Sequence, residues 1–152
     1  MFDADENPYD TLEFSAKGVH VGDAAQLQFA STIKYDITKG LYVKLKWTYF
    51  AKNFANFDLV SLTPVTDFSG NIVADNRNRE SWQMPNYHLL DAFCGYEFFI
   101  KKLRLNFNAG LINILNQYYI TDATNGRDFY AATSLVYFSQ GRRFTTSLKI
   151  TY

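Results

Sequence analysis

The side chains able to carry chemistry are few, and they are scattered along the chain. His20 and His88 lie far apart, and neither has a Cys or a carboxylate at the spacing that holds a metal ion. His88 falls in an otherwise apolar row, where an interfacial residue is a plainer reading than a ligand. Cys94 also falls in an apolar row and reads as a small, inert hydrophobe; a single cysteine forms no internal disulfide. Asp67, Asn71, Asp75 and Asn76 could coordinate a hard cation, but they lack the spacing of a calcium loop, and solvated loop polarity accounts for them. There is no phosphate-cradling glycine loop and no nucleophile elbow. The expectation is a protein that is not an enzyme and carries no metal or cofactor.

More informative are the charged residues that alternate with apolar ones. In Leu41 to Lys52, Leu41, Val43, Leu45, Trp47, Tyr49 and Ala51 oppose Tyr42, Lys44, Lys46, Thr48, Phe50 and Lys52, the period of a two-faced strand. Ala25 to Ile37 behaves likewise, with Lys34 and Asp36 on its polar face and Ser31 and Ala30 blurring the pattern. In Tyr87 to Ile100 the row His88, Leu90, Ala92, Cys94, Tyr96, Phe98, Ile100 opposes Asp91, Gly95 and Glu97. From Leu103 to Leu111 the apolar row opposes Arg104, Asn106, Asn108 and Gly110, and the phase slips at Ile112 to Asn116, which suggests a bulge or a strand end. The chain closes on Arg142 to Tyr152, where Phe144, Thr146, Leu148, Ile150 and Tyr152 oppose Arg143, Thr145, Ser147, Lys149 and Thr151. A weaker strand is expected over roughly Thr11 to Val21, with Leu12, Phe14 and Ala16 opposite Glu13, Ser15 and Lys17.

These lengths approach the roughly 9–11 residues with which a tilted strand crosses hydrocarbon. Aromatics form 18% of the 152 residues, with 14 Phe and 11 Tyr, yet the mean hydropathy is only -0.21. A membrane barrel reconciles the two, because half of each strand meets lipid and half meets a polar lumen. No run approaches 18 apolar residues. With 15 basic and 15 acidic residues the formal net charge is 0, and nothing favours a nucleic-acid partner.

The expected fold is therefore all-β: an antiparallel up-and-down transmembrane β-barrel, present in part, as about six strands in three hairpins. Short turns at Thr38-Lys39-Gly40 and Lys101-Lys102 would lie inside the cell envelope. The long connections, from about Asn56 to Gln83 and from about Thr121 to Gly141, would lie outside and be more mobile. Residues Phe129 to Phe138 could be a further strand or an extension of the last one. Lysines facing lipid would cost on the order of 2–4 kcal/mol each near the midplane. Hence Lys34, Asp36, Lys44, Lys46, Lys52, Asp91, Glu97, Arg104 and Lys149 are expected to face the lumen. There they satisfy one another across strands, or touch a plug or a passing substrate. Trp82, Tyr87, Tyr49, Tyr118 and Tyr119 are expected in a girdle at the outer membrane interface.

Four segments in order carry a resemblance: Gly18 to Gln26 (Gly-Val-His-Val-Gly-Asp-Ala-Ala-Gln), Pro85 to Asp91, Leu111 to Ile120, and Gly141 to Tyr152. Together they resemble the C-terminal portion of TonB-dependent outer-membrane receptors, over nearly the whole chain. The resemblance implies a barrel of about 22 strands with an N-terminal plug, of which this chain supplies the last part. Residues 1–10 read as an N-terminal extension and 11–152 as the barrel segment, with no plug and no energy-coupling box. The acidic start, Met1 to Pro8, lacks the basic and apolar run of a secretory signal, which makes the chain either mature or a fragment. The resemblance further implies uptake of a scarce nutrient, with outer-membrane lipid, the rest of the receptor and the TonB energy-coupling complex as partners, the last through the missing N-terminal part. Substrates left open are a ferric chelate, cobalamin or a glycan. Phe144, Leu148, Ile150 and Tyr152 are then similar to the signal read by the outer-membrane assembly machinery. A self-contained small barrel, acting as adhesin or structural anchor, is the alternative.

Overall fold

A computed structural model describes residues 14–126 and 128–152. These residues form strands β1 (Leu27–Thr38), β2 (Leu41–Ala51), β3 (Asn53–Phe54), β4 (Val65–Thr66), β5 (Ile72–Ala74), β6 (Gln83–Met84), β7 (Tyr87–Ile100), β8 (Leu103–Ile112), β9 (Ile120–Thr124), β10 (Leu135–Phe138) and β11 (Arg143–Thr151). A 3-10 turn at Leu59–Leu62 is the one helical element among them. The protein is all-β, and its sheets are antiparallel. No closed barrel is formed by the described residues. The chain divides into two compact units, one built on residues 25–53, 85–121 and 138–152 and the other on the long connections.

The first unit is a five-stranded sheet in the order β1-β2-β7-β8-β11, so each long strand lies beside the next long strand in sequence. Its turns follow the expected chemistry. Gly40 takes a φ of 88°, open to a residue without Cβ, and its carbonyl accepts from the Glu97 amide at 2.7 Å. Lys101 takes a φ of 55° in the β7–β8 turn.

Residues directly opposite in neighbouring strands share a face. The register aligns Ile33 with Leu45, Leu45 with Ala92, Ala92 with Leu111 and Leu111 with Phe144. It also aligns Tyr35, Val43, Cys94, Ala109 and Thr146. Across all five strands this face holds no Asp, Glu, Lys or Arg. Much of it is exposed: Ile33 is 69% exposed, Phe144 68% and Ile150 58%.

The opposite face is polar and is packed by aromatic rings over glycine. The Tyr42 ring lies where a Cβ on Gly95 would stand, and its hydroxyl donates to Asn108 Oδ1 at 3.2 Å, one strand further on. Phe93 lies over Gly110 in the same way, with 2.9 Å between its ring and a Cβ placed there. Such pairs pin register and let a sheet coil. Gly95→Val should force the Tyr42 ring aside and lower stability by about 1–3 kcal/mol. Tyr42→Phe, which removes only the donated hydrogen bond, should cost about 0.5–1.5 kcal/mol. Urea midpoints in detergent micelles measure both. Equal stability of Gly95→Val and wild type would mean that the ring does not rest on this glycine.

Three expectations are corrected. Of the strand proposed for Thr11 to Val21, the part from Phe14 onward is turn and irregular chain; Thr11, Leu12 and Glu13, like the extension at 1–10, lie outside the described residues. Gly18 adopts a φ of 81°, and Ser15 and Lys17 are held by Asn78 rather than by a strand. Three alternating apolar residues are too few to outweigh these bonds from a distant segment. The sheet therefore has two hairpins and a final strand. Second, Lys52 leaves the lysine row of β2. Its φ is 55°, and its amide donates to Asn86 Oδ1. Third, residues 129–138 are not one strand: Phe129 is buried at a φ of 60° in a turn, and only Leu135–Phe138 is extended, paired with β9.

The long connections are more organised than loops read from polarity alone. Phe54, Ala55, Leu62, Met84, Ala123 and Phe129 are buried in the second unit. Asn56 ties its segments together. Its amide donates to the Ala123 carbonyl at 2.7 Å, its carbonyl accepts from Asn125, and its side chain reaches Asp23 and Asp122.

Candidate functional site

Eight of the nine charges expected on one face share it, Lys52 being the exception. Lys34 stands opposite Lys44, Lys46 opposite Asp91, and Glu97 and Lys149 both opposite Asn106; Asp36 and Arg104 continue the same rows. Most are answered by close neighbours. Lys34 Nζ lies 2.8 Å from Asp36 Oδ1, and Arg104 Nη2 lies 2.6 Å from Glu97 Oε2. Lys34 and Lys44, like charges facing each other, are turned onto rings: Lys34 sits 4.9 Å from the centre of Tyr42 and Lys44 4.6 Å from that of Phe93. At the turn end Lys34, Asp36, Tyr42, Glu97, Asn106 and Asn108 line a polar cleft of about 240 Å³. These are exposed pairs, each worth roughly 0.2–1 kcal/mol. Their mixed signs select for no single charge.

Asp91 is spent differently. Its Oδ1 accepts from the amide of Asn113 at 2.9 Å, just past the end of β8. Asn113 and Asn116 both take left-handed φ, 55° and 52°, which Asn tolerates better than most residues. The Asn113 side chain accepts from the Gln117 amide and donates to its carbonyl. Asn116 Oδ1 accepts from the Arg142 amide, fixing the entry into β11. The phase slip at Ile112 to Asn116 is thus a strand end closed by two asparagines.

Of the aromatic residues expected at the outer interface, Tyr49 and Tyr87 stand on opposite faces of the sheet. Tyr49 shares the uncharged face with Trp47, with ring centres 6.3 Å apart. Phe50 and Tyr87 are paired on the charged face and stack at 4.8 Å, and Tyr119 stacks on Tyr87 at 4.0 Å. Alternation puts Phe50 in the row of the lysines and Tyr87 in the row of Asp91, whereas the place of Tyr119, beyond the end of β8, has no counterpart in the spacing.

In the second unit, His20 lies flat on Phe54 at 4.2 Å, with Nδ1 2.8 Å from Glu80 Oε2. Burial works against the charged form of Glu80, but bonds from the His20 amide and ring and from the Ser81 amide hold its carboxyl below the ordinary value. Sequence spacing gave no sign of this cluster, because its members sit in separate connections. Asp67 closes its own turn through the Asn71 and Ser69 amides. Hydrogen bonds from the Arg77 side chain and amide hold Asp75 down to about 2. Both carboxylates are thereby engaged locally. Among the described residues no three His, Cys, Asp or Glu side chains gather into a metal-binding group. Cys94 lies on the uncharged face opposite Val43 and Ala109.

No family model, no curated protein and no solved structure matches the chain.

Proposed function

We propose that the chain is a membrane-spanning part of an outer-membrane β-barrel, the C-terminal segment of a TonB-dependent receptor. The uncharged face running across all five long strands, much of it exposed, carries this reading. Each exposed Leu, Ile or Phe in water forgoes about 1.5–3 kcal/mol of burial. Acyl chains restore that burial without a second protein layer, and no charge is left in hydrocarbon. Strand lengths from 9 to 14 residues suit a tilted crossing.

The two outer strands supply the second argument. Among the described residues β1 and β11 each pair on one side only. In lipid every unpaired N–H or C=O costs several kcal/mol, so both edges require partners. Because the sheet has five antiparallel strands, β1 and β11 run in the same direction. A ring of copies in one orientation would join β11 to β1 in parallel. An antiparallel closure needs an odd number of further strands, which makes the total even, as in bacterial single-chain barrels. The rest of a receptor supplies such a set, and the polar face then lines the lumen toward its plug. Within that receptor the chain takes part in uptake of a scarce nutrient, a ferric chelate, cobalamin or a glycan, across the outer membrane. Energy arrives through the TonB complex at the receptor's N-terminal part.

Trp47 stands on the uncharged face, whereas Trp82 belongs to the other unit. In a Trp82→Phe chain reconstituted into vesicles, brominated acyl chains should quench Trp47 strongly. Fluorescence indifferent to bromination, together with extraction of the protein from cell membranes by urea, would overturn the proposal.

A further inference from the structure

We infer a subsite for a sugar acid on the polar side of the sheet's loop end, an inference that rests on the barrel reading above and narrows its substrate class. Tyr119, Thr121, Phe138, Ser139, Gln140 and Arg143 line a cleft of about 330 Å³ within the sheet unit. That lies in the range of small-ligand sites.

Its walls divide by chemistry. Tyr119 is held by the stack through Tyr87 to Phe50, so its position is set before any ligand arrives. Ser139 is set by a reciprocal pair: its amide donates to the Tyr119 carbonyl at 2.9 Å, and its hydroxyl accepts from the Tyr119 amide at 3.3 Å. Two side chains in the cleft remain uncommitted. Among the described residues neither the Gln140 amide nor the Arg143 guanidinium makes a hydrogen bond or an ion pair. Arg143 begins β11 on the charged face, in line with Thr145, Ser147 and Lys149. The other arginine of that face, Arg104, is spent on Glu97.

A free guanidinium binds a carboxylate through two parallel bonds. A side-chain amide matches ring hydroxyls, which both donate and accept. Aromatic rings offer a flat apolar surface to a sugar's C–H face. Together they fit a pyranose that bears a carboxylate better than a neutral sugar or a bare anion.

The test uses the whole 152-residue chain in lipid nanodiscs, with trigalacturonate, neutral galactotriose and inorganic phosphate as probes. Trigalacturonate should bind measurably by calorimetry and galactotriose far more weakly. Arg143→Gln should weaken trigalacturonate binding by roughly tenfold to a hundredfold, the range for hydrogen bonds to a charged group. Gln140→Ala should weaken both sugars, and Lys102→Gln neither. Absence of trigalacturonate binding, equal binding of the neutral sugar, or indifference to Arg143→Gln would overturn the subsite. Displacement by phosphate at matching concentration would reduce it to an anion site and overturn the sugar assignment. Trp47 quenching of the Trp82→Phe chain in nanodiscs of brominated lipid separates the two readings: quenching without binding removes the subsite alone, and absence of quenching removes the barrel.

Discussion

Leu45→Arg is expected to lower the stability of the proposed barrel by about 2–4 kcal/mol, while Lys46→Ala changes it far less. The two positions are adjacent in β2, so any difference reflects the face on which each side chain stands. Leu45 lies in the row Ile33, Leu45, Ala92, Leu111, Phe144, which crosses the whole sheet without a charge. An arginine there must either enter hydrocarbon or snorkel, and near the middle of an 11-residue strand neither end is close. Lys46 faces Asp91, whose carboxylate is already held by the Asn113 amide, so the lysine contributes little that alanine removes. Denaturant titration of the folded protein in vesicles reads both values. The reverse ranking, with Lys46→Ala the more damaging, would place the lysines against lipid and shift the facing by one residue.

Alternation made this sheet legible. In β2, β7, β8 and β11 the apolar and polar rows read from the sequence are the two faces observed, and the short turns at Gly40 and Lys101 fall where the rows break. A period of two is a local property, and every residue of a two-faced strand repeats it. The segment from Phe14 to Val21 failed because three alternating residues are too short a sample, and Asn78, far away in sequence, decides its course. The second unit was hidden for the same reason. Asn56, Glu80 and Asn125 each join segments that are distant along the chain, and polar residues in a long connection look alike whether they meet water or one another. Of the site residues, the shared face of the eight charges was readable. The commitment of Asp91 to Asn113 was not, because it depends on how β8 ends.

Deleting Tyr152 from the proposed full-length receptor is expected to lower sharply the amount assembled in the outer membrane, with the remainder held in the periplasm. The receptor that does assemble should bind its ligand almost as wild type does. The geometry separates these effects. Phe144, Leu148 and Ile150 face Leu111, Phe107 and Leu105 of β8, so they belong to the sheet and their loss would damage it directly. The register ends at Thr151 opposite Arg104, one residue short of Tyr152, which has no partner in β8 and is 91% exposed. Its removal therefore takes little from the folded sheet. What it shortens is the apolar row at the end of β11, whose other edge would have to pair with a further strand in the proposed barrel. If Tyr152 were only an anchor at the inner headgroups, its deletion would leave assembly intact and cost no more than a small loss of stability. Pulse-chase fractionation with heat-shift gels follows assembly, and ligand titration on the assembled fraction follows binding. Normal assembly with weakened ligand binding would remove Tyr152 from biogenesis and place it in function.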